Sequence, residues 1–312
     1  MSETPGGSVR TLIVHNAKAG FGSDAIFEFE RSLLEEGDEC VMRVLGPDFD
    51  MRGAVSDAES FDLVVLSGGD STVASLLYEL RGRDVKTCVF PSGTANLIFS
   101  NLSLPSEPHA IARACRKGAV ARTDLGEISW TENGTENTRG FALMAGTGYD
   151  ATLMKAAIPQ KQTLGEMAYF TAALSNTRPE MVHFSITVDG RREERDGIAC
   201  LVANNATMQR DIEIVPNCSM ADGIIDVIIL EMSDVMQMLI PFFSGIIDRQ
   251  GKAGRPFIEH FTGREVVVES SSPTPMQIDG DFVAASVTGY TARVLPSVNT
   301  LIVDPTSPYY QD

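Results

Sequence analysis

The chain is 312 residues long, 43% hydrophobic and 21% charged, which excludes disorder along its length and gives room for one large domain or two ordinary ones. A net charge of −17 speaks against a nucleic-acid partner, which needs an excess of Lys and Arg, and against simple electrostatic attachment to an anionic membrane. Five widely spaced cysteines without a C-x-x-C fit reduced thiols in an intracellular protein, not a disulfide framework or a zinc site.

Residues 1–9 are rich in Gly, Pro and Ser and lack the apolar core of a signal peptide. Residues 11–14 form a short apolar strand, and Asn16 to Gly20 a loop after it. Residues 25–36 space Ile26, Phe29, Leu33 and Leu34 as a helix does, and 40–45 reads as a second strand. A third strand at 63–66 runs into Gly68-Gly69-Asp70, a helix spans 71–80, and a fourth strand covers 86–90. This alternation predicts a parallel sheet with helices on both faces. Beyond about residue 123 short alternating strands take over, among them 184–188, 198–202, 224–230, 266–269 and 286–288. Asp-Gly pairs at 189–190, 196–197, 222–223 and 279–280 read as turns, and Asn133-Gly134 as a hairpin tip between Trp130 and Phe141. Helical pieces are expected at 165–175 and 235–245. The most hydrophobic stretch, 227–247, is interrupted by Glu231, Asp234, Gln237 and Pro241, so no membrane span is predicted. Its apolar cluster at 239–243 and 246–247 reads as a packed surface or a segment that dips into a bilayer.

The expected organisation is an α/β domain over 1–125, with 296–312 a candidate to rejoin it, and a mainly antiparallel β domain over 126–295. Three glycine-bearing polar loops follow strands of the first domain: Asn16 to Gly20, Ser67 to Thr72, and Pro91 to Asn96. Ligands on open parallel sheets bind beyond the carboxyl ends of the strands, so the loops are predicted to crowd one site. Glycine lets backbone N–H groups approach a phosphate chain, and the helix after Asp70 aims its positive end at the same place. A carboxylate such as Asp70 can hold Mg²⁺ there, directly or through water. Gly20 to Ala25 also reads as G-x-G-x-x-A, a weak dinucleotide look-alike, and no P-loop signature is present. The histidines at 15, 109, 183 and 260 show no ligand spacing and read as loop or surface residues; His15 stands out because it precedes the first loop.

The order of these pieces resembles the diacylglycerol kinase catalytic family, which includes sphingosine kinases and bacterial lipid kinases, with NAD kinases as more distant relatives. The N-P-x-x-G of that family corresponds to Asn16 to Gly20, its G-G-D-G-T to Gly68-Gly69-Asp70-Ser71-Thr72, and its P-x-G-T-x-N-D to Pro91 to Leu97. Thr123 to Gly126 and Ala145 to Ala151 match its domain-crossing segments. Val215 to Val227 resembles P-x-A-x-x-x-D-G-x-x-D-V, and Ile278-Asp279-Gly280-Asp281 stands where the family has I-D-G-E.

The resemblance implies an NAD kinase/diacylglycerol kinase-like α/β domain, a C-terminal β-sandwich, and ATP in a cleft between them. It implies transfer of the γ-phosphoryl of ATP to a lipid hydroxyl, diacylglycerol-like or sphingoid, with Mg²⁺ as cofactor. Gly68, Gly69, Ser71 and Thr72 would cradle phosphates, with Asn16, Gly20, Thr94 and Asn96 nearby. Asp70 would organise Mg²⁺; Ser219, Asp222 and the backbone of Ile224 would form a second, structural metal site; Asp281 would take the proton from the acceptor hydroxyl. Four positions depart from the pattern. Ser71 replaces a glycine and carries strain if φ is positive there; Asp281 replaces Glu; Leu97 replaces Asp, as in sphingosine kinases; and Ala17 replaces Pro. Ser71 and Asp281 motivate one alternative, a catalytically degenerate nucleotide-binding protein of the same fold; an NAD kinase-like enzyme on a soluble substrate is a second. Expected partners are a lipid substrate and a transient contact at the inner membrane face by an otherwise cytoplasmic protein, with a homodimer left open.

Overall fold

The computed structural model describes residues 7–20, 24–46, 50–148, 179–209, 212–231 and 258–310. The helices expected at 165–175 and 235–245, and the apolar cluster of 239–247, lie outside the described residues. By packing, the chain divides into two units, Met1–Thr123 with Val298–Asp312, and Asp124–Ser297.

The first unit is a parallel sheet of β1 (Arg10–His15), β2 (Glu39–Val44), β3 (Leu63–Gly68) and β4 (Lys86–Pro91). Their order is β4-β3-β1-β2, and residues 300–301, at the end of the chain's last strand, extend it in parallel beside β4. The helices are α1 (Ala25–Glu35), α2 (Met51–Ala54), α3 (Asp70–Leu80), α4 (Leu97–Asn101) and α5 (Pro108–Lys117). α1 packs on α5, and α2 on α3. Every residue of β3 is buried, as expected for a central strand covered on both faces. α1 turns Ile26, Phe29 and Leu33 inward at helical spacing, and Phe29 meets Phe90 of β4 at 5.2 Å between ring centroids.

The second unit is antiparallel. Its strands are β5 (Val120–Glu132), which begins in the first unit, β6 (Thr135–Phe141), β7 (Met144–Gly148), β8 (Val182–Val188), β9 (Arg191–Gly197), β10 (Ala199–Ala203), β11 (Thr207–Gln209), β12 (Ile212–Glu213), β13 (Ile225–Leu230), β14 (Ile258–Gly263), β15 (Glu265–Ile278) and β16 (Asp281–Ile302). One run is β14-β13-β10-β7-β15; β15 also pairs β8 and β16, β8 pairs β9, and β5 pairs β6. β10 and β13 are buried on both faces. Cys200, Val202, Val227 and Ile229 enter one apolar cluster, while Leu201, Ala203, Ile228 and Leu230 enter another. That is why these strands read as continuous apolar runs rather than alternating ones.

Three of the expected turns are hairpin tips with both residues at positive φ: Asn133-Gly134, Asp189-Gly190 and Asp279-Gly280. Asp196-Gly197 is not a turn. It ends β9, where it pairs with His183 and Val182 of β8. Glycine there serves close packing, since a Cβ at Gly197 would lie 2.8 Å from the carbonyl oxygen of Leu230.

Candidate functional site

The strand order β4-β3-β1 sets the three glycine loops side by side at the carboxyl ends of adjacent parallel strands. Asn16 N–H donates to the carbonyl of Ser67 at 2.8 Å, and Asn16 Nδ2 donates to Thr72 Oγ1 at 3.0 Å. These two bonds join the first loop to the second. The second and third loops approach so closely that a Cβ on Gly93 would lie 2.5 Å from Gly69 Cα. The first and third meet where Gly20, at φ +62°, would put a Cβ 2.4 Å from the Ser92 carbonyl oxygen. Only glycine fits these contacts. Asn96, itself at φ +52°, closes the third loop on its own backbone: its carbonyl accepts Gly93 N–H at 2.7 Å and its amide donates to Gly93 O at 2.9 Å. Thr94 is exposed on that loop.

Gly69 caps α3, and Asp70, Ser71 and Thr72 form its first turn. Ser71 is therefore helical and not at positive φ, so the strain expected from its replacing a glycine is not found. Its carbonyl accepts the Ser75 hydroxyl as in an ordinary helix. Asp70 Oδ1 accepts Ile98 N–H at 2.9 Å, which ties α3 to the start of α4. The nine residues Asn16, Gly20, Gly68, Gly69, Asp70, Ser71, Thr72, Thr94 and Asn96 thus share one end of the first unit. Backbone free of side chains beside the amino end of an 11-residue helix suits a polyanion. The Asp70 carboxylate would repel such an anion unless a cation lay between them, and its oxygens are hard donors of the kind Mg²⁺ takes.

The remaining expected residues belong to the second unit. Ser219, Asp222 and Ile224 lie on one loop before β13, where Ser219 Oγ accepts Ala221 N–H and Asp222 Oδ1 accepts Ile224 N–H at 3.1 Å. Asp124 fastens that loop. Its N–H donates to Met220 O, and its carboxylate accepts Gly223 N–H at 2.7 Å and Ser297 N–H at 2.6 Å. Partial withdrawal from water, then the nearby charges of Asp226 and Asp124, raise the Asp222 pKa above the ordinary carboxylate range. A hydroxyl, a carboxylate and a backbone carbonyl are an oxygen donor set fit for Mg²⁺, and a cation there would relieve this repulsion. Among the described residues, no three His, Cys, Asp or Glu side chains are grouped to hold a metal by themselves.

Asp281 opens β16 directly after the Asp279-Gly280 turn, paired across the hairpin with Ile278. Asp279 fixes that turn. It is buried, and its carboxylate accepts the N–H groups of Ala142, Leu143 and Met144 at 2.9, 2.8 and 3.1 Å. Asp279 and Asp124 lie inside two of the family-like motifs, yet nothing in the sequence marks their part in holding backbone. His15, expected in a loop or on the surface, differs from that expectation. His15 is the buried end of β1, with Nδ1 2.9 Å from Ser67 Oγ, which is 2.7 Å from Ser92 Oγ. The signal for it was a histidine abutting the first loop.

Known proteins match both units. Residues 10–128 match the diacylglycerol kinase catalytic domain, and residues 144–303 match the YegS C-terminal NAD kinase beta sandwich-like domain. The chain is 30% identical over 219 residues to a diacylglycerol kinase of Mycobacterium tuberculosis, covering 69% of this chain and 70% of the relative. It is 27% identical over 187 residues to a diacylglycerol kinase of Bacillus subtilis, covering 57% and 58%. The crystal structure of a diacylglycerol kinase from Bacillus anthracis superposes with a TM-score of 0.75 over 95% of this chain and 97% of that one, at 20% identity.

Proposed function

This chain belongs to the diacylglycerol kinase family, and from that premise we propose that it is an ATP- and Mg²⁺-dependent lipid kinase that transfers the γ-phosphoryl group to a lipid hydroxyl. The observation that carries the reading is the convergence of three glycine loops, each pressed against the next, at the amino end of α3. Phosphoryl transfer asks chiefly for positioning and charge neutralisation, which loop backbones and a helix end supply. Bound Mg²⁺ would supply the charge neutralisation that brings the triphosphate beside the Asp70 carboxylate. In this reading Gly68, Gly69 and Thr72 bind phosphates, Asn16 orients Thr72 through their hydrogen bond, and Gly20 and Gly93 keep the loops in contact. The helical setting of Ser71 supports catalytic competence, since its replacement of glycine brings no backbone strain.

Asp281 is the proposed general base toward the acceptor hydroxyl. It stands beside the tip of a hairpin whose turn Asp279 anchors, so its backbone is held for that task. The acceptor is a diacylglycerol-like or sphingoid lipid, met during a transient visit to a membrane surface. No helix among the described residues is long and apolar enough to cross a membrane. The assignment is tested with Asp281→Asn, which keeps the shape of the residue and removes its basicity. Lipid phosphorylation is expected to fall at least about 100-fold while ATP affinity stays within a few-fold of wild type. Full activity in the variant would remove Asp281 from the role.

A further inference from the structure

The first unit contains a chain of three hydrogen-bonded side chains that none of these roles uses. His15 ends β1, Ser67 lies on β3, and Ser92 follows β4, so each stands at the root of one of the three glycine loops. His15 and Ser67 are buried and Ser92 is half-buried. Burial lowers the His15 pKa below the ordinary histidine range, so the ring is neutral near pH 7, and Phe27 meets it edge-on at 6.2 Å between centroids.

A neutral imidazole carries one ring proton, which gives the chain two polarities. With the proton on Nε2, Nδ1 accepts the Ser67 hydroxyl proton, and Ser67 accepts that of Ser92. Ser92 then turns only lone pairs outward, which repel an anion. With the proton on Nδ1, the ring donates to Ser67, Ser67 donates to Ser92, and the Ser92 proton is left to point outward. Between these states Nδ1 takes the Ser67 proton, Ser67 takes that of Ser92, Ser92 takes one from water, and the ring releases the Nε2 proton to water, so the proton count does not change.

We propose that Ser92 is a phosphate-binding residue of this site, and that His15, acting through Ser67, is a positioning residue that turns the Ser92 hydroxyl outward as donor to a nucleotide phosphate oxygen. The proposal rests on the reading of the three loops as the nucleotide site. A chain that only tied the strands together would keep one polarity whether or not a nucleotide were bound.

The test uses the full chain labelled with ¹⁵N-histidine, the His15 resonances being assigned from their loss in His15→Asn. Ring-nitrogen spectra are recorded with and without Mg²⁺ and the non-hydrolysable β,γ-imido analogue of ATP, and binding is followed by calorimetry on the same samples. On saturation, His15 Nδ1 is expected to move from the unprotonated acceptor range to the protonated donor range. Ser92→Ala is expected to abolish that change and to weaken binding about tenfold, the loss of one hydrogen bond to a charged group. His15→Asn, whose amide can donate from the position of Nδ1, should bind within a few-fold of wild type, while His15→Phe should lose as much as Ser92→Ala. Nucleotide binding with an unchanged His15 tautomer, or a Ser92→Ala variant that binds like wild type, overturns the proposal and leaves the nucleotide reading standing. Failure of the wild type to bind any nucleotide overturns both.

Discussion

Asp279 sits at φ +46° on the β15–β16 turn, and its buried carboxylate gathers three consecutive backbone N–H groups at 142–144. No other acceptor could replace it without moving the turn, because buried N–H groups left unpaired each cost free energy. Asp279→Ala is therefore expected to destabilise the protein by about 3 kcal/mol in denaturant titrations. Its aim at the backbone was not legible in the sequence, where Asp279 reads as half of an Asp-Gly turn. Periodicity and turn chemistry report local geometry, whereas this carboxylate acts on a segment more than 130 residues away. The same limit explains His15. Its neighbour Asn16 was legible as a loop residue, but its partner Ser67 is reached only once β1 and β3 pair. Ser71 shows the converse: the motif raised a strain that the first turn of α3 does not contain.

At the level of elements, alternation and apolar runs located β1 to β4, α1 and α3 to within a residue or two, because each carries strong periodicity and a glycine or polar break. α5 was missed although Pro108 opens it, Arg116 and Lys117 end it, and Gly118 caps it at φ +70°. Only Ile111 and Ala112 of that helix are buried, so its apolar stripe is thin. β9 was missed because Arg191–Gly197 is almost wholly charged and its pairing comes from β8. The loops that gather at the site meet through close backbone contacts as well as through side-chain bonds such as that of Asn16 to Thr72. Gly93→Ala would force a Cβ to within 2.5 Å of Gly69 Cα, and is expected to weaken nucleotide binding on the order of 100-fold, as read by calorimetry.

The loop before β13 gives a prediction of the opposite sign. Because the Asp222 pKa is raised in the fold, its ionisation destabilises the protein above that pKa, and acidification through it relieves the cost. Asp222→Asn should then raise the melting temperature in metal-free buffer at pH 7.5 by roughly 1–2 °C. It should also abolish the Mg²⁺-induced stabilisation expected of the wild type, a gain that should fade as the pH drops toward the Asp222 pKa. A Mg²⁺-induced shift that survives in the variant would place the ion elsewhere.

For the whole molecule, the α/β plus antiparallel β organisation was legible from the switch in texture near residue 123, and the β-sandwich and family membership from the resemblance carried by seven motifs in order. The acceptor was not, since apolar residues that line a lipid pocket are chemically the same as those that fill a core. The measurement that tests the account most directly is transfer of γ-³²P from Mg-ATP into vesicles containing diacylglycerol or a total lipid extract, with Asp70→Asn as control. The account predicts a labelled lipid with the wild type and loss of at least about 99% of it in the variant. Binding of Mg-ATP with no label in any lipid would contradict it, and would leave a nucleotide-binding protein that has lost the reaction of its family.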